Sequence, residues 1–182
     1  MDSLQHSAGL PVAIALGANL GDRSAAIGHA LVRMAETGAV VFEAVSALYE
    51  TAPMYRTDQP AFLNAAATGH TRLTPLALLA VLKRIEVELG RVTGPRNGPR
   101  TVDLDILFHG SGQFAGPGLD LPHPRLRERA FVLVPLAEIA PDLRDPVSGR
   151  TCRELLAGLD AGGVARFSSP PTIPCQPGST MP

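Results

Sequence analysis

Two aspartates separated by one residue, Asp103 and Asp105, give this sequence its clearest capacity for chemistry. They lie in the run 102–108, which alternates apolar and acidic residues and is typical of a β-strand. Side chains alternate between the faces of a strand, so both carboxylates point the same way, about 7 Å apart, while Leu104 and Ile106 point to the core. Magnesium binds one or two protein carboxylates together with water and substrate phosphate. The spacing therefore predicts a site for a metal-bound nucleotide.

Three arginines, Arg91, Arg96 and Arg100, lie in the glycine- and proline-rich stretch 91–101 just before this strand. Phosphoryl transfer depends on positioning and on charge neutralisation, which guanidinium groups and metal ions supply together. Each feature by itself has a non-functional interpretation. A single arginine of this kind would be interpreted as an ordinary exposed side chain, and the two aspartates could lie on a solvated sheet face. The combination favours a phosphoryl-transfer site.

Two amphipathic helices are predicted from apolar spacing and from their end signals. Asp22 is a suitable N-cap for the first helix, and Gly38 ends it. Thr74 followed by Pro75 begins the second helix, and Gly90 ends it. The apolar stripes are Ile27, Leu31 and Met34 in the first helix and Leu78, Leu82, Ile85 and Leu89 in the second.

Strands are predicted at 12–16, 40–49, 62–71 and 102–108. The order β-α-β-β-α-β is the ferredoxin-like arrangement, an α+β fold in which both helices cover one face of an antiparallel sheet and leave the other available. The connection 50–60 is long enough to be functional. Extended and helical additions are expected C-terminal to this core, with 119–124 extended and 127–138 and 151–159 helical.

The length of 182 residues predicts a single domain, placed at 12–160. Residues 1–11 are aperiodic, and 161–182 are rich in proline and small polar residues. Both segments are expected to be tails, the C-terminal one disordered.

A formal net charge of −1 gives no reason to expect nucleic-acid or acidic-membrane binding. The apolar run 12–16 is too short for a membrane span or a signal sequence, so a cytoplasmic location is expected. Cys152 and Cys175 match no metal or redox spacing and are expected to be free thiols. These properties suit an enzyme of small molecules and are compatible with a monomer.

Several short runs occur in the order of a known family. The run 96–107 has a basic residue, Gly-Pro-Arg and then Asp-Leu-Asp-Ile-Leu. It is accompanied by Ala-Leu-Gly-Ala-Asn-Leu at 15–20, Tyr-Glu-Thr-Ala-Pro-Met at 49–54, Gln-Pro-Ala-Phe-Leu-Asn-Ala at 59–65, Leu-Pro-His-Pro at 121–124 and Arg-Ala-Phe at 129–131. Through these runs the chain resembles the 6-hydroxymethyl-7,8-dihydropterin pyrophosphokinases of folate biosynthesis over nearly all of 12–160.

The resemblance implies transfer of pyrophosphate from MgATP to the hydroxymethyl oxygen of a reduced pterin, with release of AMP. Two Mg²⁺ ions would be bridged by Asp103 and Asp105, and Arg91 and Arg100 would hold the triphosphate. No residue is an obvious general base. A Mg²⁺ ion in contact with the attacking hydroxyl oxygen could instead lower the pKa of that hydroxyl group. No covalent enzyme intermediate is expected.

The same resemblance implies the remaining contacts. The nucleotide contacts would be Lys83, Glu86, Arg96, Ile106, His123 and Arg129. In the pterin pocket, Phe62 and Phe131 would sandwich the ring. Asn64 and Thr51 would hydrogen-bond its edge, and the backbone around Pro53 and Met54 would supply the remaining partners. Without the resemblance, Phe62 and Phe131 would be assigned to the core, and Lys83 with Glu86 to a surface pair.

The sequence departs from the family at Asn97, where many members have tryptophan, and at Thr93 and Gly94, where basic residues are expected. Fewer cations and no stacking ring would then cover the phosphates. Two alternatives stay open. One is another magnesium-dependent nucleotide-using transferase, such as a nucleotidyltransferase, and the other is a non-catalytic ligand-binding module on the same scaffold.

Overall fold

The computed structural model describes residues 9–54, 57–92 and 98–172. Its elements follow each other as β1 (Leu10–Ala18), α1 (Arg23–Glu36), β2 (Val41–Val45), β3 (Leu48–Thr51), β4 (Phe62–Thr71), α2 (Pro75–Glu88), β5 (Asp103–His109), β6 (Phe114–Gly116), β7 (Leu119–Leu121), a 3₁₀ turn (Leu126–Glu128), α3 (Ala130–Ile139), α4 (Cys152–Leu156) and β8 (Val164–Ser168).

Both predicted helices form with the predicted caps. The side chain of Asp22 accepts a hydrogen bond from Ala25 N at the start of α1, and Thr74 accepts one from Ala77 N at the start of α2. Gly38 and Gly90 follow the two helices with φ of 66° and 86°. These left-handed conformations suit glycine and end each helix.

The main sheet has the order β5-β1-β4-β3-β8, with β2 also paired to β4, and all of its pairings are antiparallel. The register places Gly17 of β1 opposite Asn64 of β4 on one side and opposite Asp103 of β5 on the other. The α+β ferredoxin-like core expected from the sequence is therefore present.

Two apolar layers sandwich this sheet. The first joins α1 and α2 to one face through side chains such as Ile14, Leu31 and Leu82. The second joins α3 and α4 to the opposite face through residues that include Ala66 and Leu136. The expectation that the second face is left available is therefore only partly met, because the C-terminal helices cover part of it.

The predicted strand 40–49 is divided into β2 and β3. Ser46 lies between them, and its Oγ accepts a hydrogen bond from Ala66 N at 2.9 Å while Ser46 N donates to Ala66 O at 2.9 Å. A side chain thus replaces one backbone partner of β4, and the ladder is interrupted. Alternation of apolar residues cannot reveal such an exchange.

The predicted tails are too long at both ends. Leu10 and Pro11 belong to β1, and β8 lies inside the segment 161–182 that was expected to be disordered. β8 is short, follows two glycines, Gly162 and Gly163, and is held by pairing with β3. The strand β6 was also missed; it pairs with β7 in a small hairpin that packs on the first layer.

Candidate active site

A cleft opens on the sheet face beside α3. Many of the residues singled out in the sequence line it: Thr51, Met54, Phe62, Asn64, Arg100, Asp103, Asp105, His123, Arg129 and Phe131. Residues that are separated by up to 80 positions in the chain thus meet in one space.

The floor of the cleft is formed by the small residues Ala15 and Gly17 of β1. Gly17 separates Asn64 from Asp103, and Ala15 lies opposite Asp105. A Cβ at Gly17 would lie 3.5 Å from Asn64 Oδ1. The absence of a side chain there keeps the cleft continuous from the amide of Asn64 to the two carboxylates.

Asp103 and Asp105 both face the cleft, as the alternation of β5 requires. Asp103 accepts hydrogen bonds from Arg91 Nη1 and Arg100 Nη1, each at 2.6 Å. Burial by itself would raise the pKa of the Asp103 carboxyl. The positive charges of Arg100, Lys83 and Arg91 outweigh this effect, so the pKa is lowered. Asp103 is therefore ionised and fixed at neutral pH.

Asp105 has a different environment. Among the described residues, the cation within ion-pair distance of its carboxylate is Lys83, whose Nζ is 3.9 Å from Oδ1. Burial, and then the charge of Asp103, raise the pKa of Asp105. Within the described residues this carboxylate has a cation only at the limit of ion-pair distance, so a cation brought in with a ligand would stabilise it.

Glu86 of α2 organises the cations from behind β5. It is almost fully buried and accepts hydrogen bonds from Leu104 N and Lys83 Nζ, both at 2.7 Å. Its other oxygen pairs with Arg91 Nη1 at 2.5 Å. Burial raises the pKa of Glu86, an effect that the charge and hydrogen bond of Lys83 oppose. Glu86 thus covers the exposed edge of β5 and orients both cations around Asp103 and Asp105.

The opposite end of the cleft combines an amide with aromatic rings. Asn64 Nδ2 donates to Thr51 Oγ1 at 2.9 Å, and both residues are buried. Phe62 and Phe131 line the same region, and the Cζ of Arg129 lies 5.6 Å from the Phe131 ring centroid. Flat faces beside a fixed amide suit a planar heterocycle with polar edges.

His123 and Arg129 lie between the aromatic rings and Asp105. His123 N donates to Leu107 O at 3.0 Å, which fixes its backbone, and its Nδ1 accepts from Arg125 N at 3.2 Å. Burial lowers the pKa of His123, partly opposed by Asp105, so the neutral ring carries its proton on Nε2 and can donate to an anion. The Nε of Arg129 is buried without a hydrogen-bond partner among the described residues. This N–H is available to donate to an acceptor on a bound ligand.

The donor set fits a magnesium ion that arrives with a nucleotide. Two hard carboxylates from one strand are enough when phosphate and water complete the coordination. Within the described residues, no group of three or more His, Cys, Asp or Glu could hold a metal without such help. The geometry thus favours a metal–nucleotide complex over a protein-only metal site.

Comparison with known proteins agrees with this geometry. The family model for 7,8-dihydro-6-hydroxymethylpterin-pyrophosphokinase (HPPK) matches residues 13–141. The chain belongs to the HPPK family. It is 49% identical over 153 residues to the 2-amino-4-hydroxy-6-hydroxymethyldihydropteridine pyrophosphokinase of Methylorubrum extorquens, covering 84% of this chain and 96% of the relative. The protein of the same name from Pseudomonas aeruginosa is 48% identical over 159 residues, covering 86% and 96%.

Other HPPK relatives are longer. The mitochondrial folate synthesis bifunctional protein of Arabidopsis thaliana is 51% identical over 128 residues, which are 70% of this chain and 23% of that protein. Among solved structures, Plasmodium falciparum HPPK-DHPS with pteroate has a TM-score of 0.63 at 17% identity, covering 81% of this chain and 42% of that one. The chain thus spans less than half of these longer proteins, and the structural likeness concerns the fold.

Some residues implied by the HPPK resemblance do not line the cleft themselves. Arg91 contacts the cleft residue Asp103, and Lys83 lies within ion-pair distance of Asp105. Glu86 acts through its contact with Arg91. Pro53 is half-buried beside the lining residues Ala52 and Met54. Arg96 lies outside the described residues.

The side chain of Ile106 lies away from the cleft. Its side chain is buried in the layer under α1 and α2, on the face of β5 opposite Asp105. Strand alternation had already placed it there, so the side chain does not enter the cleft. A contact between Ile106 and the nucleotide would have to use backbone atoms.

Several residues at the site were missed from the sequence. Ala15, Gly17, Leu107 and Gln59 line the cleft. The first three are small or apolar and carry no chemical signal of their own. All four lie in the runs 15–20, 59–65 and 96–107 that resemble the family, which was the available pointer to them.

Proposed function

We propose that this HPPK-family chain transfers the pyrophosphoryl group of ATP to the hydroxymethyl oxygen of 6-hydroxymethyl-7,8-dihydropterin and releases AMP, as a step of folate biosynthesis. The supporting observation is the arrangement of the cleft. Asp103 and Asp105 lie at one end among arginines, and the Asn64–Thr51 pair lies at the other end among aromatic rings. One end suits a metal-bound polyphosphate and the other suits a pterin.

On the nucleotide side, Arg100 and Arg91 would neutralise charge that builds on the transferred group. Arg129 and the Nε2–H of His123 would donate hydrogen bonds to the phosphates, and Arg96 is proposed as a further contact. Lys83, held by Glu86, would place a positive charge near Asp105.

Asp103 and Asp105 would hold two Mg²⁺ ions together with the nucleotide. Bound magnesium would neutralise phosphate charge and lower the pKa of a nearby hydroxyl group. Asp103 is pre-positioned by its two arginines. Asp105, with its raised pKa, gains most from a cation. Transfer is direct, without a covalent bond to the enzyme.

On the pterin side, Phe62 and Phe131 would stack on the ring, and Asn64 with Thr51 would bind its edge. Pro53 and Met54 would contribute backbone groups. Asn64 is held by Thr51 before a ligand arrives, so little ordering is required of it on binding.

The described helices include none long and apolar enough to cross a membrane. The cytoplasmic location, the monomeric state and the absence of a nucleic-acid partner stay predictions. The small-molecule substrates are those proposed above.

The test is incubation of the purified chain with MgATP and the reduced pterin alcohol, followed by chromatography. Formation of AMP in step with the pterin diphosphate supports the proposal. Release of free pyrophosphate would instead identify a nucleotidyltransferase, and ATP binding without any product would identify a binding module. Because these outcomes differ in the product, one chromatogram separates the three functions.

A further inference from the structure

The turn between β1 and α1, residues 19–22, together with Arg23 at the start of α1, contacts both chain segments that border the cleft. One is the connection between β3 and β4, which ends at Ala61. The other is the connection between α2 and β5, which includes Arg100.

Asn19 is 1% exposed and uses both ends of its amide. Its Nδ2 donates to Gln59 Oε1 at 3.1 Å and to Pro60 O at 3.3 Å. Its Oδ1 accepts from Arg100 N at 2.8 Å, and its own backbone N donates to Arg100 O at 3.1 Å. A buried amide with all of these partners is costly to disturb. Asn19 therefore fixes the two connections relative to each other.

Arg23 joins the two ends of the β3–β4 connection. Its Nη1 pairs with Glu50 Oε1 at 2.8 Å, before the connection, and donates to Ala61 O at 2.9 Å, after it. The guanidinium also lies over the ring of Phe167 in β8, with its Cζ 5.7 Å from the centroid. One cation thus links β3, the residue that precedes β4, and β8.

Three of these contacts are made at or next to residues proposed to bind substrate. Glu50 directly precedes Thr51, and Ala61 directly precedes Phe62. Arg100, whose backbone Asn19 holds from both sides, donates to Asp103 at 2.6 Å. Displacements of these backbone segments would pass directly to the side chains that meet the substrates.

We propose that the β1–α1 turn is a positioning element of the enzyme, in which Arg23 sets the pterin side of the cleft and Asn19 sets both the pterin side and Arg100. The inference rests on the proposed function, because it assigns the two ends of the cleft to the two substrates. The two residues therefore have different expected kinetic signatures.

The Arg23→Ala variant tests the first part. Its KM for the reduced pterin is expected to rise on the order of tenfold, the effect of one lost charge-assisted hydrogen bond, while kcat and the KM for MgATP stay at wild-type values. Arg23→Lys should recover part of the affinity by restoring the pair with Glu50. The matched control is Arg33→Ala, which removes two surface ion pairs of the same helix, with Glu36 and Glu88, and should change neither KM.

Two variants at Asn19 test the second part. Asn19→Asp keeps an acceptor for Arg100 N but loses the donor to Gln59 and Pro60, so it should raise the pterin KM and leave kcat. Asn19→Ala removes both sets of contacts and should also lower kcat, because Arg100 loses its support. Circular dichroism melts give the folded fraction, and kcat is expressed per folded enzyme.

Calorimetric titration of the reduced pterin alcohol, with a non-hydrolysable ATP analogue present, gives a readout that needs no turnover. Weaker pterin binding in Arg23→Ala with unchanged analogue binding supports the inference. Equal losses for both ligands, or none, would overturn it even if wild-type enzyme forms AMP. If wild-type enzyme forms no AMP, the proposed function fails instead, so the two failures are distinguishable.

Discussion

Asp103 and Asp105 point from one strand into the same cleft, yet their surroundings move their pKa values in opposite directions. Asp103 is held by Arg91 and Arg100 at 2.6 Å each, and its pKa is lowered. Asp105 has Lys83 at 3.9 Å, and burial with the charge of Asp103 raises its pKa. One carboxylate is thus already compensated within the protein, and the other is left to be compensated by a ligand.

This asymmetry predicts different effects of the two Asp→Asn substitutions. Asp105→Asn should reduce AMP formation at least about 100-fold while the melting temperature stays the same or rises, because a repelled buried charge is removed. Asp103→Asn should also lower stability, by about 1–3 kcal/mol, because two arginines lose their charged partner. Chromatography and thermal melts measure both effects. Asp120→Asn, an exposed position on β7, is the control.

Glu86 gives a second prediction. Glu86→Gln keeps an oxygen for Leu104 N but removes the charge that holds Lys83 and Arg91, so kcat should fall on the order of tenfold with the fold intact. Steady-state kinetics with varied MgATP measures the change. Glu88→Gln, which affects surface contacts two residues along the same helix, should behave as wild type. Full activity of Glu86→Gln would show that α2 does not position the cations.

Gly17 gives a third prediction, which concerns space. In Gly17→Ala the added Cβ would lie 3.5 Å from Asn64 Oδ1, an ordinary contact that the fold tolerates. The methyl group would nevertheless occupy the floor between Asn64 and Asp103, so kcat/KM should fall without loss of stability. In the control Gly28→Ala, no atom lies within 4 Å of the new Cβ in α1. That variant should keep its activity and gain about 0.5–1 kcal/mol of stability. Equal activity of the two variants would contradict the proposed path across Gly17.

The parts of the fold that the sequence predicted are those governed by local chemistry. The caps at Asp22 and Thr74 act within three residues of chain, and the alternation of β5 alone determines that Asp103 and Asp105 share a face. Such signals do not depend on distant residues, so a single sequence reveals them.

The missed features all depend on distant partners. β8 exists as a strand because β3 offers an edge, and Ser46 interrupts its strand because Ala66 N is nearby. Gly17 matters through the side chain that it lacks. Asn19 stood in a run matched to the family, but its link to Arg100 spans 81 positions in the chain. Long-range pairing of this kind leaves no periodic trace in the sequence.

Asp145 lies far from the proposed chemistry and supports the C-terminal layer. It is fully buried and accepts hydrogen bonds from Arg127 Nε at 2.6 Å, Arg127 Nη2 at 2.8 Å, Val147 N at 3.2 Å and Ser148 N at 3.1 Å. Burial alone would raise its pKa, but the bonds from Arg127 and Ser148 outweigh burial and hold the pKa well below the usual range.

Because the folded-state pKa of Asp145 is depressed, its contribution to stability is present above the unfolded pKa of about 3.9 and is lost as the pH falls through the folded value. Asp145→Asn should therefore lower the free energy of unfolding by about 1–3 kcal/mol at pH 7. The difference from wild type should shrink when urea unfolding is repeated below about pH 4. Asp142→Asn, whose side chain is 83% exposed, should show no such dependence. A difference for Asp145→Asn that is the same at both pH values would mean that packing, and not the charge, makes this residue stabilising.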